Sequence, residues 1–138
     1  RRTSSAFELA LSVLFTSGIQ HYAEIPEGMA RAPQYVRDFL KAVPSGWDDV
    51  KFIDGFPGKY VVLARRSGNT WYVAGINAEK DYRKVKLDLS ALSTRSGTLI
   101  TDGSGGNLSF RQQKLGAGES GMLELILVPR GAFVLTTQ

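Results

Sequence analysis

The 138-residue sequence contains no cysteine and only one histidine, His21. The lack of cysteine excludes disulfide bonds and thiolate metal sites, although it does not fix the cellular compartment. A single histidine cannot build a multi-histidine metal site. No apolar run approaches the roughly 20 residues of a membrane-spanning helix. The net charge of +4 comes from 17 basic and 13 acidic residues that are interspersed, so the continuous basic stripe needed by a nucleic-acid-binding protein is missing.

The stretch from residue 47 to residue 77 is the centre of the predicted fold. Residues 50–53, 60–64 and 71–76 are apolar runs that are rich in β-branched side chains, and such runs predict three consecutive strands. The last two are joined by Arg-Arg-Ser-Gly-Asn, in which Gly68 can supply the positive φ of a tight hairpin turn. Because these runs are nearly continuous rather than alternating, we expect a central hairpin that is covered on both faces.

The remainder of the chain predicts strands separated by glycine-rich turns. Val85, Leu87 and Leu89 alternate with charged residues. Further on, Leu123, Leu125 and Leu127 alternate with Glu124 and Ile126. Further short strands are predicted at residues 98–101, 108–114 and 132–137. Many short strands at this spacing are typical of a β-sandwich. We therefore predict an antiparallel β-sandwich of about 7–8 strands over residues 45–138.

The first 44 residues have a different rhythm, which predicts helix, strand and helix at residues 3–17, 19–23 and 33–43. The second helix carries a one-sided apolar stripe of Val36, Phe39, Leu40 and Val43. The first is apolar on every side, and a helix of that kind needs burial all round. We expect Phe7, Leu11, Leu14 and Phe15 to lack their natural cover, so that the chain self-associates through residues 5–17. Since it also starts without methionine, we expect an excised piece of a longer protein.

Candidate chemistry is sparse. Glu24 and Glu27 flank a proline turn and could act as an acid and a base, but solvated loop acids are the commoner case. Asp48 and Asp49 lack the further oxygen ligands that a cation site needs, and the glycine-rich loop after Asp102 lacks the lysine of a phosphate-binding loop. The residues alone predict neither a catalytic set nor a metal site.

Three aromatic residues offer an alternative function. Trp47, Trp71 and Tyr72 could form a flat platform for a sugar ring if their rings were exposed and coplanar. The chain would then be an autonomous carbohydrate-binding module. Core packing is the more frequent role of strand aromatics, and both interpretations stay open at this stage.

Two segments carry a resemblance to a known family: SAFELALSVLFTSGIQHYAE, and DFLKAVPSGWDDVKFIDGFPGKYVVLARRSGNTWYVAGIN. They resemble the carboxy-terminal part of glycoside hydrolase family 97, which comprises bacterial α-glucosidases and α-galactosidases. The resemblance is strong over residues 5–77. Its most specific elements are Trp47-Asp48-Asp49, Asp54-Gly55, Pro57-Gly58 and Ala64-Arg65-Arg66.

The resemblance implies an α+β fragment: the last helix, strand and helix of a (β/α)8 barrel in residues 1–44, followed by the carboxy-terminal β-sandwich in residues 45–138. The parent enzyme would cleave α-linked glucosides or galactosides with calcium, and would be periplasmic or associated with the cell surface. Its catalytic carboxylates and calcium ligands would lie upstream, so this chain by itself is expected to be inactive and to contain no cofactor. His21, Tyr22 and Glu24, near the end of the predicted barrel strand, would line the parent's substrate pocket. The β-sandwich would buttress the barrel and mediate oligomerisation.

Overall fold

The computed structural model describes residues 5–14, 32–92, 94, 96–105, 109–116 and 121–137. This part of the chain forms two helices, eight strands and one 3₁₀ turn. The helices are α1, Ser5–Leu14, and α2, Gln34–Ala42, and the 3₁₀ turn is Leu89–Leu92. The strands are β1 Asp49–Phe56, β2 Tyr60–Ser67, β3 Thr70–Asn77, β4 Arg83–Asp88, β5 Ser96–Asp102, β6 Phe110–Gly116, β7 Met122–Leu127 and β8 Ala132–Thr137.

The strands form two antiparallel sheets. Six of them make one sheet in the order β1-β2-β3-β8-β5-β6, while β4 and β7 form a separate two-stranded sheet. The larger sheet lies in the middle of three layers, with the helices on one face and the small sheet on the other. The predicted antiparallel β-sandwich and its strand number are therefore confirmed for the described residues.

The central hairpin follows the predicted pattern closely. Tyr60 to Ser67 pairs residue for residue with Thr70 to Asn77, and the turn between them has Gly68 at a φ of 61°. The adjoining strand β1 is longer than predicted, because it continues past a bulge between Phe52 and Asp54 to Phe56. Trp71 to Gly75 are all buried, so the centre of the sheet is covered on both faces, as the continuous apolar run indicates.

The two cores lie on opposite faces of the six-stranded sheet. The core on the helix side contains Leu9, Val13 and Val36 against Tyr72 and Ala74. On the other side, Val85, Leu87 and Leu127 of the small sheet pack with residues such as Val73 and Phe133. Gly75 lies directly opposite Phe133, and a side chain at Gly75 would collide with the Phe133 ring, which explains the glycine in a buried strand.

Helix α1 corrects one expectation. Its residues Ser5, Ala6, Leu9, Ala10, Ser12, Val13 and Leu14 are buried, because it packs across β3, β8 and β5. Leu14 is therefore not left uncovered, and Phe7 and Leu11 are half-buried rather than exposed. Because seven of its ten residues are buried within this chain, residues 5–14 offer a poor surface for self-association. Phe15 and the predicted strand at residues 19–23 lie outside the described residues.

Helix α2 matches its prediction. It begins after Pro33, and Val36 and Phe39 are buried while Leu40 is half-buried. Val43, just after the last turn, completes the buried stripe. Neither described helix is long and apolar enough to cross a membrane.

Candidate functional site

The predicted aromatic platform is not formed. Trp71 and Tyr72 are neighbours in β3, so their side chains point to opposite faces of the sheet, and they are only 7% and 9% exposed. Trp47 meets the Tyr72 ring edge-on, with the centroids 5.4 Å apart and the planes at 67°. Three rings placed in this way cannot present one flat surface to a sugar. The aromatic residues are core and near-core packing, which removes the basis for an autonomous carbohydrate-binding module built on them.

Tyr72 instead fastens α2 to the sheet. Its ring packs edge-on against Phe39 at a centroid distance of 6.0 Å, and its hydroxyl donates to the carbonyl oxygen of Ala42 at 3.4 Å. Trp71, on the other face, has the Lys51 ammonium 5.2 Å from its ring centroid. Both aromatic side chains thus have structural partners within the chain.

The predicted pocket-lining residues His21, Tyr22 and Glu24 lie outside the described residues, and so does Glu27. Their role in a parent enzyme stays a prediction. Within the described residues, no group of three or more histidine, cysteine, aspartate and glutamate side chains is arranged to hold a metal ion.

The carboxylates that the sequence singled out have local structural roles. Asp48 accepts a hydrogen bond from the backbone N–H of Gly68 at 2.8 Å and closes the β2–β3 turn. Asp102 accepts one from the backbone N–H of Ala132 at 2.9 Å and joins β5 to the start of β8. Acids engaged in this way stabilise turns and strand ends, and their geometry does not create a catalytic pair.

A cluster of polar side chains lies at one end of the central hairpin. The Tyr60 hydroxyl donates to Asp54 at 3.1 Å, and the Arg83 guanidinium lies 4.3 Å from the Tyr60 ring centroid. Arg83 also donates through Nε and Nη2 to Glu79, at 3.1 Å and 2.6 Å. Burial raises the pKa of Tyr60, and its hydrogen bond to Asp54 raises it further. A phenol held protonated in this way is a structural clamp between β1, β2 and β4 and is poorly suited to act as a base.

Arg65 is a residue that the sequence analysis missed. It is buried on the helix side of the large sheet, where its Nη2 donates to the carbonyl oxygen of Leu14 at 2.9 Å. Burial lowers the pKa of this guanidinium. Arg65 thereby ties Leu14 of α1 to β2 through a charged donor. The sequence pattern places Arg65 in the link between two strands, whereas β2 continues through it to Ser67.

Among the residues that the structure describes, two sets of apolar side chains stand out as exposed. The first lies on the helix side of the sheet at its β1 edge, and we call it the edge surface. It consists of Val50 and Phe52, which are exposed, together with the half-buried Val61, Leu63 and Ile76. Phe52 is opposite Leu63, which is opposite the buried Ala74, so the edge surface continues the core beneath the helices.

An apolar cavity of about 250 Å³ adjoins the edge surface at the β1–β2 turn. Phe56, Pro57, Tyr60, Val61, Ile76 and Ala78 are among the residues that line it. An open apolar cavity of this size would accept one or two side chains of another polypeptide. It contains no convergent set of polar groups that would orient a small polar ligand.

The second set lies on the opposite side of the molecule, and we call it the outer face. It is the solvent side of the small sheet, formed by Lys84, Lys86 and Asp88 on β4, Met122, Glu124 and Ile126 on β7, and the adjacent Tyr82. Tyr82 and Ile126 are 68% and 61% exposed. Lys84 and Glu124 form a surface ion pair at 3.8 Å. Exposed apolar residues within a charged frame are typical of protein–protein contacts.

Comparison with known proteins gives the chain a family. Residues 46–137 match the family model described as the glycosyl-hydrolase 97 C-terminal domain, oligomerisation. The retaining alpha-galactosidase of Bacteroides thetaiotaomicron is 34% identical over 133 residues, which are 93% of this chain and 20% of that enzyme. The probable retaining alpha-galactosidase of Streptomyces bingchenggensis is 41% identical over 100 residues, which are 72% of this chain and 15% of that protein.

Solved structures agree with this assignment. The crystal structure of a beta-arabinopyranosidase superimposes with a TM-score of 0.87 and 39% identity, covering 99% of this chain and 22% of that one. A family 97 enzyme from Pseudoalteromonas sp. strain K8, solved with panose, gives a TM-score of 0.75 at 22% identity, again over 99% of this chain and 23% of that one; this likeness is one of fold. The chain thus spans about a fifth of the length of these relatives. The sequence match and the structural match together show that the chain belongs to glycoside hydrolase family 97 and contains its C-terminal oligomerisation domain.

Proposed function

We propose that this chain is the non-catalytic carboxy-terminal portion of an exo-acting glycosidase, where it supports the catalytic barrel and takes part in self-association. The observation that carries the proposal is the match of residues 46–137 to the family's C-terminal domain. The described carboxylates add support, since Asp48 and Asp102 hold turns and strand ends while Asp54 and Glu79 belong to the Tyr60 clamp.

The parent enzyme, in this proposal, is a retaining glycosidase that acts on galactosides rather than glucosides. Both curated relatives are named as retaining alpha-galactosidases. The related solved enzyme is named as a beta-arabinopyranosidase, so arabinopyranosides form a second substrate class worth testing. Calcium in the upstream catalytic domain and a periplasmic or cell-surface location follow from the family resemblance and belong to the same proposal.

In this proposal, residues 1–44 form the last part of the catalytic barrel. Residues 3–17 would be the penultimate barrel helix, residues 19–23 the last strand and residues 33–43 the last helix. His21, Tyr22 and Glu24 would then line the substrate pocket of the parent. The burial of α1 against β3, β8 and β5 gives a physical reason for a β-sandwich at this place, because it covers apolar helix surface that would otherwise face water.

The edge surface supports a contact with the barrel. Phe52 is 65% exposed on the same side of the sheet as α1 and α2, where the rest of the parent would continue from the helices. Further apolar surface would be buried there if a neighbouring helix of the barrel packed on Val50, Phe52 and the adjoining cavity.

The contact is tested in a full-length enzyme that contains this region. The substitution Phe52→Asp should lower the midpoint of thermal inactivation by several degrees while leaving KM for a nitrophenyl α-galactoside unchanged. Arg111→Asp is the control, since Arg111 is exposed and lies on β6, at the opposite edge of the large sheet from Phe52 and outside both exposed apolar surfaces. An enzyme in which Phe52→Asp changes nothing, or changes only KM, would argue against support of the barrel through this surface.

A further inference from the structure

We propose that the outer face is the surface on which a second copy of this chain docks, with β4 of one copy lying over β7 of the other. The inference rests on the proposed function, because it assigns a surface to the self-association that the family description gives only as a property of the domain. Three observations support it: the exposed apolar residues, the order of charges along the two strands, and the position of this face relative to the helices.

The apolar residues of the outer face are large and solvent-exposed. Tyr82, Met122 and Ile126 are three of the six large hydrophobic residues exposed in the described part of the chain. Met122 and Ile126 lie on the two-stranded sheet, and Tyr82 immediately precedes its strand β4. Tyrosine and methionine are enriched at protein interfaces, where a polar frame surrounds an apolar centre.

The charges of the outer face are complementary to themselves. In the β4–β7 register, Lys86 is directly opposite Glu124, Lys84 is opposite Ile126 and Asp88 is opposite Met122. Consider a two-fold axis that lies between two facing copies and runs parallel to their strands. It places β4 of one copy over β7 of the other and keeps each residue at the same position along the strand direction. Each of these pairs then recurs between copies, so that Lys86 meets the partner's Glu124 and the Lys84 stem covers the partner's Ile126.

Other face-to-face orientations fit less well. An axis in the plane of the contact but perpendicular to the strands, at the level of the Lys86–Glu124 pair, would place Lys86 over the partner's Lys86 and Glu124 over the partner's Glu124. Like charges in contact disfavour such a pairing. The order of charges along β4 and β7 therefore favours the two-fold axis that runs parallel to the strands. A symmetric contact of this kind closes on itself as a dimer and does not propagate.

The position of the outer face leaves it free in the parent enzyme. It lies across the six-stranded sheet from α1 and α2, whereas the edge surface lies on the helix side. A barrel that continues from the helices would cover the edge surface and leave the outer face open. The two exposed apolar surfaces thus receive different partners, the parent's own barrel on one side and a second copy on the other.

The test measures the mass of the purified chain by sedimentation equilibrium over a range of concentrations. We expect a monomer–dimer equilibrium that Ile126→Asp weakens by at least about tenfold in Kd, while Phe52→Asp, the matched control, leaves it within about twofold. Lys86→Glu and Glu124→Lys should each weaken the dimer, and the double exchange Lys86→Glu with Glu124→Lys should restore it. Thermal unfolding of each variant separates loss of association from loss of folding.

The remaining outcomes each count against the inference. Dimerisation that Phe52→Asp weakens and Ile126→Asp does not would move the interface to the edge surface and overturn the outer-face assignment, while self-association itself would stand. Failure of the double exchange to restore a dimer that both single variants weaken would overturn the two-fold arrangement. A monomer at every concentration would overturn both the inference and the self-association part of the proposed function, whereas the Phe52→Asp inactivation experiment would still test support of the barrel.

Discussion

Arg65 donates a hydrogen bond from Nη2 to the carbonyl oxygen of Leu14 at 2.9 Å, across 51 positions of sequence. The contact joins Leu14 of α1 to β2, the first strand of the central hairpin. It makes the helix part of the same folded unit as the β-sandwich. The attachment of α1 therefore depends on a specific polar contact as well as on apolar packing.

The first prediction concerns this contact. Arg65→Ala should lower the free energy of unfolding by about 1–3 kcal/mol, because a buried carbonyl group at the helix end loses its charged donor. The neighbouring Arg66 is the matched control: its side chain is 36% exposed and it faces Asp48 at 3.9 Å, so Arg66→Ala should cost less than about 1 kcal/mol. Urea denaturation of the two variants makes the comparison. Equal losses would mean that the Leu14 contact contributes nothing of its own.

The second prediction tests whether α1 belongs to the core. Leu9 is 1% exposed, and Leu9→Ala should reduce stability by about 2–5 kcal/mol, the range for a large-to-small change in a packed interior. Leu11 lies on the same helix but is only half-buried, so Leu11→Ala should cost clearly less. The measurement is the midpoint of urea unfolding, together with the slope of the free energy of unfolding against urea concentration. If neither substitution changes the midpoint, the helix is only loosely attached to the sheet.

The third prediction uses the clamp around Tyr60. Its pKa is raised above the ordinary value of 10.0 by burial and by its hydrogen bond to Asp54. The folded state therefore holds the phenolic proton more tightly than the unfolded state, and this contribution is complete below pH 10 and lost as the pH rises through the folded value. The stability of the unaltered chain should consequently fall more steeply above pH 10 than that of Tyr60→Phe. The free energy of unfolding is measured by chemical denaturation at several pH values above 10. If it falls with pH at the same rate in the unaltered chain and in Tyr60→Phe, the pKa of Tyr60 is not raised in the folded state.

Local patterns predicted the elements of the fold well, and the reasons are specific. The alternation around Val85 and Leu87 predicts one buried face because successive strand residues point to opposite sides. The hairpin at Gly68 is encoded within a few residues, and the stripe from Val36 to Val43 is a helix period. The order β3-β8-β5 in the sheet is not visible in the sequence, since it depends on pairings between distant segments.

The candidate site shows where such reasoning failed. Trp71 and Tyr72 are adjacent in a predicted strand, so the two-residue period already places their rings on opposite faces and disfavours a shared platform. The burial of Arg65 could not be inferred in the same way, because it requires the end of α1 to arrive from 51 positions away. The all-round apolar character of α1 correctly indicated burial, but it did not identify β3, β8 and β5 as the strands on which the helix packs.

The most direct test of the central claim is the turnover of nitrophenyl α-galactoside and nitrophenyl β-arabinopyranoside by the purified chain, with a full-length family 97 enzyme as the positive control. A chain that is a structural domain of a larger glycosidase should release no nitrophenol above the buffer rate at any concentration. Release that rises in proportion to the chain's concentration and saturates with substrate would show a catalytic site within these 138 residues and would contradict the account.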